Sequence, residues 1–167
     1  MTRESHPSTP PLGPPYRIVV GIDYSETSER ALHAAFEIAI RKPEAQIYTL
    51  AVAEGMLTRP EEVVEEAQRS FQAEAQQTLE SFLAKELDAL EKTGRRINRM
   101  RVGASVDFGS PTERILGLAE ELTADLIVLG SYGRKGIQRL MVGSVAENVI
   151  RHAHCPVLVV RPKAHAT

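Results

Sequence analysis

Short apolar runs alternate strictly with longer amphipathic segments along this sequence. Five runs rich in β-branched and aliphatic residues predict strands: Tyr16–Asp23, Gln46–Ala53, Arg99–Val106, Asp125–Leu129 and Pro156–Arg161. A helical pattern follows each of the first four. Such alternation is typical of a parallel sheet with helices on both faces, so we expect an α/β protein with a five-stranded parallel sheet.

Four helices are predicted between these strands. Ser25 is placed to cap the first helix, and residues 61–92 predict one long second helix. Ser110 and Ser144 begin the third and fourth helices with capping boxes, and the fourth runs to about Ala153. The apolar stripes predicted for the first two helices consist of Leu32, Ala35, Phe36, Ala39 and Ile40, and of Phe71, Ala75, Thr78 and Phe82.

The composition of the 167 residues narrows the class of protein. Lys and Arg number 20 and Asp and Glu 22, so the chain lacks the basic excess that sequence-independent nucleic-acid binding needs. Its apolar runs are too short to span a bilayer, and the first 15 residues offer no hydrophobic stretch for a secretory signal. A single cysteine excludes an internal disulfide framework. We therefore expect a cytoplasmic protein that binds neither nucleic acid nor a membrane.

The beginning of the chain differs in composition from the rest. Five of the ten prolines lie within residues 1–15, where they are mixed with serine, threonine and glycine. A segment of this kind cannot bury a core. We expect a disordered Pro-rich tail over residues 1–15 and one folded domain over residues 16–167.

The segment between the fourth strand and the fourth helix carries the residues best suited to binding. It leaves a strand at Gly130, contains Gly133 and Gly143, and ends at Ser144, where a helix begins. Unpaired N–H groups and the positive end of a helix dipole favour an anion at such a place. Arg134 could add charge beside an outer phosphate. Because parallel sheets bind ligands at the carboxyl ends of their strands, the segment predicts a phosphate-binding site.

Other interpretations of these residues remain open. The sequence has neither a P-loop motif nor a G-x-G-x-x-G motif after the first strand, so the common nucleotide fingerprints are excluded. The glycine-rich segment could be only a structural connection in which Ser144 caps the helix. Asp23, at the end of the first strand, is placed either to contact a ligand or to shape the turn into the first helix.

The sequence gives little indication of a metal site or of catalytic residues. His152, His154 and Cys155 do not share a helix face, and no second cluster completes a set of four ligands, so we predict no metal site. The arginines between residues 95 and 101 indicate a solvated edge. No nucleophile with an adjacent base and no carboxylate pair stands out, so we assign no catalytic residue.

The order and spacing of several motifs resemble the universal stress protein family. Gly130, Gly133, Gly143 and Ser144 match its nucleotide loop in register: glycine, two residues, glycine, nine residues, then glycine-serine. The flanking segments are similar to its strands and turns: Val19–Ser25, Gly109–Pro111, Ala124–Gly130 and Cys155–Val160. The resemblance covers nearly the whole chain after the tail. It implies a Rossmann-like fold of the adenine nucleotide α-hydrolase type that binds ATP. Mg²⁺ could enter together with the nucleotide.

The resemblance also implies which residues hold the nucleotide. Together with Arg134, which the charge of the loop suggests, the predicted nucleotide-binding residues are Gly21, Ile22, Asp23, Val52, Leu129, Gly130, Gly133, Gly143, Ser144 and Val145. The residues of the first two strands would meet the adenine and ribose, and those of the loop the ribose and phosphates. The chain departs from the family at Gly21, where proline is frequent, and at Tyr132, where histidine or arginine is frequent.

The resemblance further implies a homodimer in which the last strand, Val157–Arg161, pairs across the interface. The function that follows is that of an ATP-binding stress-response protein, acting as a regulatory or interaction module for an unidentified protein partner. ATP, ADP and cyclic AMP are not distinguished at this point. Two alternatives stay open: a slow Mg²⁺-dependent ATP hydrolase on the same scaffold, and a dimeric interaction protein that binds no nucleotide.

Overall fold

A computed structural model describes residues 14–53, 61–132 and 142–162, with the side chains of residues 61–68 outside the description. The predicted tail therefore lies almost wholly outside the described residues. The strands are β1 (Tyr16–Ile22), β2 (Ala45–Ala53), β3 (Val102–Phe108), β4 (Leu126–Gly130) and β5 (Val157–Val160). The helices are α1 (Glu26–Arg41), α2 (Glu61–Lys92), α3 (Pro111–Glu121) and α4 (Ser144–His152), and a 3-10 helix over Arg99–Arg101 precedes β3.

All five strands pair in parallel in the order β3-β2-β1-β4-β5, which confirms the predicted sheet. β1 lies at the centre, where Val20 is in register with Thr49 of β2 and Val128 of β4. The chain moves outward from β1 to β3 on one side and continues from β4 to β5 on the other. The strand order thus reverses between β1 and β4, and this is where a doubly wound sheet leaves a crevice for a ligand.

Helices cover both faces of the sheet, and each face has its own apolar core. Ile18 and Val20 of β1 pack into the core beneath α1 and α2, while Val19 packs into the core beneath α3 and α4. All three side chains are fully buried. Burial on both sides explains why β1 is a continuous apolar run. Among the described residues, no helix combines the length and apolar character that crossing a membrane requires.

The buried face of α2 differs from the predicted face. Leu79, Leu83 and Leu87 are buried, whereas Thr78 is exposed and Phe71 is 37% exposed. The three leucines recur every four residues and so form their own stripe along the helix. This aliphatic stripe packs into the core with α1 and the sheet. Of the predicted face, Phe82 packs against the same core, whereas the prediction was wrong for Thr78 and Phe71.

The third strand also begins later than predicted. Asn98 caps the 3-10 helix by accepting a hydrogen bond from a backbone N–H two residues further on, so the chain turns before β3 starts at Val102. Arg101 then donates to the carbonyl groups of Pro43 and Ala45, at 2.7 and 3.0 Å. Arg101 was predicted to lie on a solvated edge, but its side chain attaches β3 to the connection between α1 and β2.

A buried carboxylate links α1 to α2. Glu86 is only 3% exposed, and its Oε2 lies 2.8 Å from Nε2 of His33. Nζ of Lys85 lies 3.4 Å from the other carboxylate oxygen. A buried charged group is costly unless it is paired, and these two partners meet that requirement.

Candidate functional site

A cleft of about 640 Å³ opens at the carboxyl edge of the sheet, at the ends of β1 and β4. Small-molecule sites typically enclose about 300–1,000 Å³, so the cleft is of suitable size. Nine of the predicted binding residues line it: Gly21, Ile22, Asp23, Val52, Leu129, Gly130, Gly143, Ser144 and Val145. Gly133 and Arg134 lie outside the described residues. Residues that are far apart in the sequence are thus brought to one place.

The floor of the cleft is apolar. Leu50, Ile115 and Leu129 are buried, belong to one packed cluster and line the cleft, and Val52 packs against the same cluster. They come from β2, α3 and β4, so three elements build a continuous apolar surface. A flat ring of low polarity would fit against such a surface, because contact with it removes apolar area from water.

The start of α4 forms a polar wall of the cleft. Gly143, not Ser144, is the N-cap, and within the described part of the chain this cap provides no side-chain hydrogen bond to the first turn. The predicted capping box was therefore wrong. Gly143 takes the extended cap conformation and donates its N–H to the carbonyl of Ser131, which leaves Ser144 as the first helical residue. The first N–H groups of a helix have no partner within the helix itself, so these groups and the positive end of the dipole make this wall of the cleft suitable for an anion.

Ser131 contributes a buried hydroxyl to the same wall. The residue is 1% exposed, and its Oγ has no hydrogen-bond partner within the described part of the chain. Its backbone is fully engaged: the N–H donates to the carbonyl of Val160 at 2.8 Å, and the carbonyl accepts from Gly143. A buried hydroxyl without a partner is costly, so a polar ligand atom at this end of the cleft would be stabilising.

Asp23 shapes the turn into α1 and also lines the cleft. Its Oδ1 accepts hydrogen bonds from the N–H and the hydroxyl of Ser25, at 3.0 and 2.5 Å. The next residue, Tyr24, has a φ of 62°, a left-handed conformation that is uncommon for a large side chain. Its ring packs edge-on against Phe82 of α2 at 5.4 Å between centroids. Strained backbone of this kind tends to be found at functional sites.

Gly130 allows α1 to approach the end of β4 closely. A Cβ placed there would lie 2.5 Å from Oγ1 of Thr27 and 2.9 Å from the backbone nitrogen of Ser28. The hydroxyl of Thr27 also donates to the carbonyl of Tyr132. The first residues after β4 are thus fastened to the start of α1, and glycine is required at position 130 by packing alone.

Several lining residues were not found from the sequence: Ser28, Leu50, Ala53, Phe71, Pro111, Ile115, Ser131, Tyr132 and Ala146. Ser131 and Tyr132 lie within the glycine-rich segment, so their position was a signal that could have identified them. Phe71 and Ile115 belong to helices, and nothing in their local pattern shows that they reach the carboxyl edge of the sheet.

The histidine and cysteine residues after α4 do not form a favourable ligand set. Nδ1 of His152 lies 2.8 Å from the carbonyl oxygen of Asn148 within the helix. Burial raises the pKa of the Cys155 thiol above its usual range, and the nearby carboxylate of Asp125 adds to the shift. The thiolate is the form of cysteine that binds metal ions, so the raised pKa makes Cys155 a poor ligand. The contact with Asn148 occupies one ring nitrogen of His152.

Comparisons with known proteins show the family and the fold of this chain. Residues 16–161 match the model of the universal stress protein family. A universal stress protein of Methanocaldococcus jannaschii is 35% identical over 151 residues, which cover 87% of this chain and 81% of that protein. The solved structure of universal stress protein UspA from Lactobacillus plantarum superposes with a TM-score of 0.68 and 25% identity, covering 89% of this chain and 99% of that one. A universal stress protein in complex with cAMP superposes with a TM-score of 0.63 and 25% identity, covering 89% and 98%.

Proposed function

Because this chain belongs to the universal stress protein family, we propose that it binds an adenine nucleotide, ATP first among them, and acts as a cytoplasmic, nucleotide-dependent regulatory or interaction module in the stress response. The observation that carries the proposal is the cleft, which joins an apolar floor to the start of α4, where the N-cap is a glycine without a side-chain acceptor. The related structure in complex with cAMP supports an adenine nucleotide as the ligand class.

The described residues divide naturally between the parts of a nucleotide. The base would lie on the apolar floor beside Val52 and Gly21. Asp23 would accept hydrogen bonds from ribose hydroxyls, since a carboxylate is an acceptor when ionised. The phosphates would meet the N–H groups of Ser144 and Val145 at the start of α4. We propose Gly133 and Arg134 as further contacts of the outer phosphates.

Mg²⁺, when present, would enter with the nucleotide, because this ion prefers phosphate oxygens and water over an all-protein cage. Asp23 is the carboxylate among the described lining residues, and its Oδ1 already accepts two hydrogen bonds from Ser25. The proposed activity is therefore binding, and no catalytic residue is assigned to hydrolysis.

Thermal unfolding of the full chain with increasing ATP, cAMP or GTP tests the ligand class. A ligand that binds only the folded state stabilises it by about 2.7 kcal/mol at a concentration 100 times its Kd. We expect the unfolding temperature to rise with the concentration of ATP and of cAMP. A comparable rise with GTP would show that the cleft binds purine nucleotides without selecting the base. The absence of any shift with adenine nucleotides would contradict the proposal and favour an interaction protein that binds no nucleotide.

We also propose that the protein is a homodimer in which β5, at the edge of the described sheet, pairs across the interface through Val157–Arg161. The observation in support is the exposure of this strand. None of its four apolar side chains is buried in the single chain, and Leu158 is 38% exposed. A second copy of β5 would cover these side chains and pair the edge.

Leu158→Lys is expected to convert the dimer into a monomer, because a charged side chain would have to be desolvated at the centre of the strand pair. Light scattering after size exclusion measures the mass directly. Met100→Lys is the matched control, since Met100 is 93% exposed and lies next to β3 at the opposite edge of the sheet. A wild-type monomer, or a Leu158→Lys variant that remains dimeric, would overturn this interface.

A further inference from the structure

Phe71 brings the long helix α2 to the cleft. Its ring lines the cleft and is 37% exposed. The ring centroid lies 5.9 Å from that of Phe108, the last residue of β3, with the two planes tilted by 47°. Phe108 itself is 7% exposed, so it forms a buried support for the more exposed ring. One side of Phe71 is thus held by the sheet while part of its surface stays uncovered.

The position of Phe71 places it near the part of the cleft that suits a base. Val52 and Ala53 end β2 and line the cleft, and Ala53 is in register with Phe108 on the neighbouring strand. An aromatic ring beside an apolar floor offers a second surface on which a flat heteroaromatic ring can pack. Bases stack on aromatic side chains through their π faces, without needing particular hydrogen bonds.

The rest of α2 is anchored elsewhere. Leu79, Leu83 and Leu87 bury its second half, whereas residues 69–74 are exposed. The contact between Phe71 and Phe108 therefore ties the earlier, exposed part of the helix to the sheet. A ligand that covered Phe71 would add to this attachment, because it would remove further apolar surface from water at the same point.

We propose that the ring of Phe71 packs against the base of the bound nucleotide, so that the exposed stretch of α2 around it, residues 69–74, responds to the occupancy of the site. This inference rests on the proposed nucleotide binding. Phe71, a residue outside the glycine-rich loop, would then cover one side of the base. This contact also supplies a physical route by which a partner could distinguish the bound from the free protein, namely the position of the exposed residues 69–74.

The chain contains no tryptophan, so Phe71→Trp creates a single fluorescent reporter at this position. Titration of this variant with ATP is expected to change its emission in a saturable manner, with the same midpoint as ATP binding measured by calorimetry. Gln72→Trp is the matched control, because residue 72 is the next on the same helix and is exposed. Its emission should change far less, since one residue along a helix points about 100° away.

Affinity measurements separate a base contact from a general effect on folding. Phe71→Ala is expected to weaken both ATP and AMP by about tenfold, a loss typical of one base–aromatic contact. Phe71→Tyr keeps the ring and should bind both within about twofold of wild type. The unfolding temperature without nucleotide shows whether each variant is folded.

Each outcome bears on the inference. Wild-type ATP affinity in Phe71→Ala, or emission from Phe71→Trp that ATP does not change, would overturn the role of Phe71 and leave nucleotide binding standing. A loss in Phe71→Tyr as large as that in Phe71→Ala would also overturn it, because the ring would not be the cause. Failure of the wild-type chain to bind ATP would overturn the proposed function and this inference together.

Discussion

Exchange of Ser144 for glutamate is expected to abolish ATP binding without destabilising the protein. Ser144 is the first residue of α4 and is exposed, so a longer side chain can be accommodated. A carboxylate in the first turn of a helix is favourable by about 0.3–1 kcal/mol, because it faces the positive end of the dipole. The same charge would occupy the proposed phosphate position and repel the nucleotide. We expect a loss in affinity of at least about 100-fold, equivalent to about 2.7 kcal/mol.

Calorimetric titration of wild type, Ser144→Glu and Ser144→Gln measures this effect. Gln is the matched control, since it has nearly the same shape as Glu and carries no charge. We expect Ser144→Gln to bind ATP within about fivefold of wild type, because one neutral hydrogen bond contributes about 1 kcal/mol. Equal affinities for the Glu and Gln variants would show that the phosphates lie elsewhere.

Gly130→Ala is expected to destabilise the nucleotide-free protein by about 2–3 kcal/mol, which is typical of overpacking against rigid surroundings. The added Cβ would lie 2.8 Å from the carbonyl carbon of Thr27 and 2.9 Å from the nitrogen of Ser28. Both are backbone atoms of α1, so neither can rotate away as the end of a flexible side chain can. The helix would have to shift from its place on the sheet.

Urea unfolding of the full chain measures this loss, with Gly117→Ala as the control. A Cβ at Gly117, within α3, would meet no atom within 4 Å. Alanine is favoured over glycine inside a helix by about 0.5–1 kcal/mol, so this control should be slightly more stable than wild type. A Gly130→Ala variant as stable as wild type would contradict the packing role assigned to Gly130.

The sheet could be predicted from the sequence because its signal is local. A strand buried on both faces must be apolar throughout, and β1 and β4 show such runs directly. The buried face of α2 could not be predicted in the same way. This helix carries an aromatic and an aliphatic stripe, and the choice between them depends on how the helix lies across α1 and β3.

The residues of the candidate site also differ in whether a local sequence pattern could identify them. Asp23 and Ser144 lie at the end of a strand and the start of a helix, places that a sequence pattern can locate. Phe71 and Ile115 reach the cleft only because the order of strands brings their helices to its rim. The cap of α4 was assigned to the wrong residue, since the N–H of Gly143 bonds to the carbonyl of Ser131 and this contact is invisible in the sequence.

Equilibrium dialysis of the full wild-type chain against labelled ATP, beside the Ser144→Glu variant, measures whether the cleft holds a nucleotide. Nucleotide binding in the cleft at the carboxyl ends of β1 and β4 predicts saturation at one nucleotide per chain for the wild type. It predicts little or no retention by the variant over the same range. Binding that does not saturate, or that is the same for both proteins, would contradict the claim that this cleft is a nucleotide site.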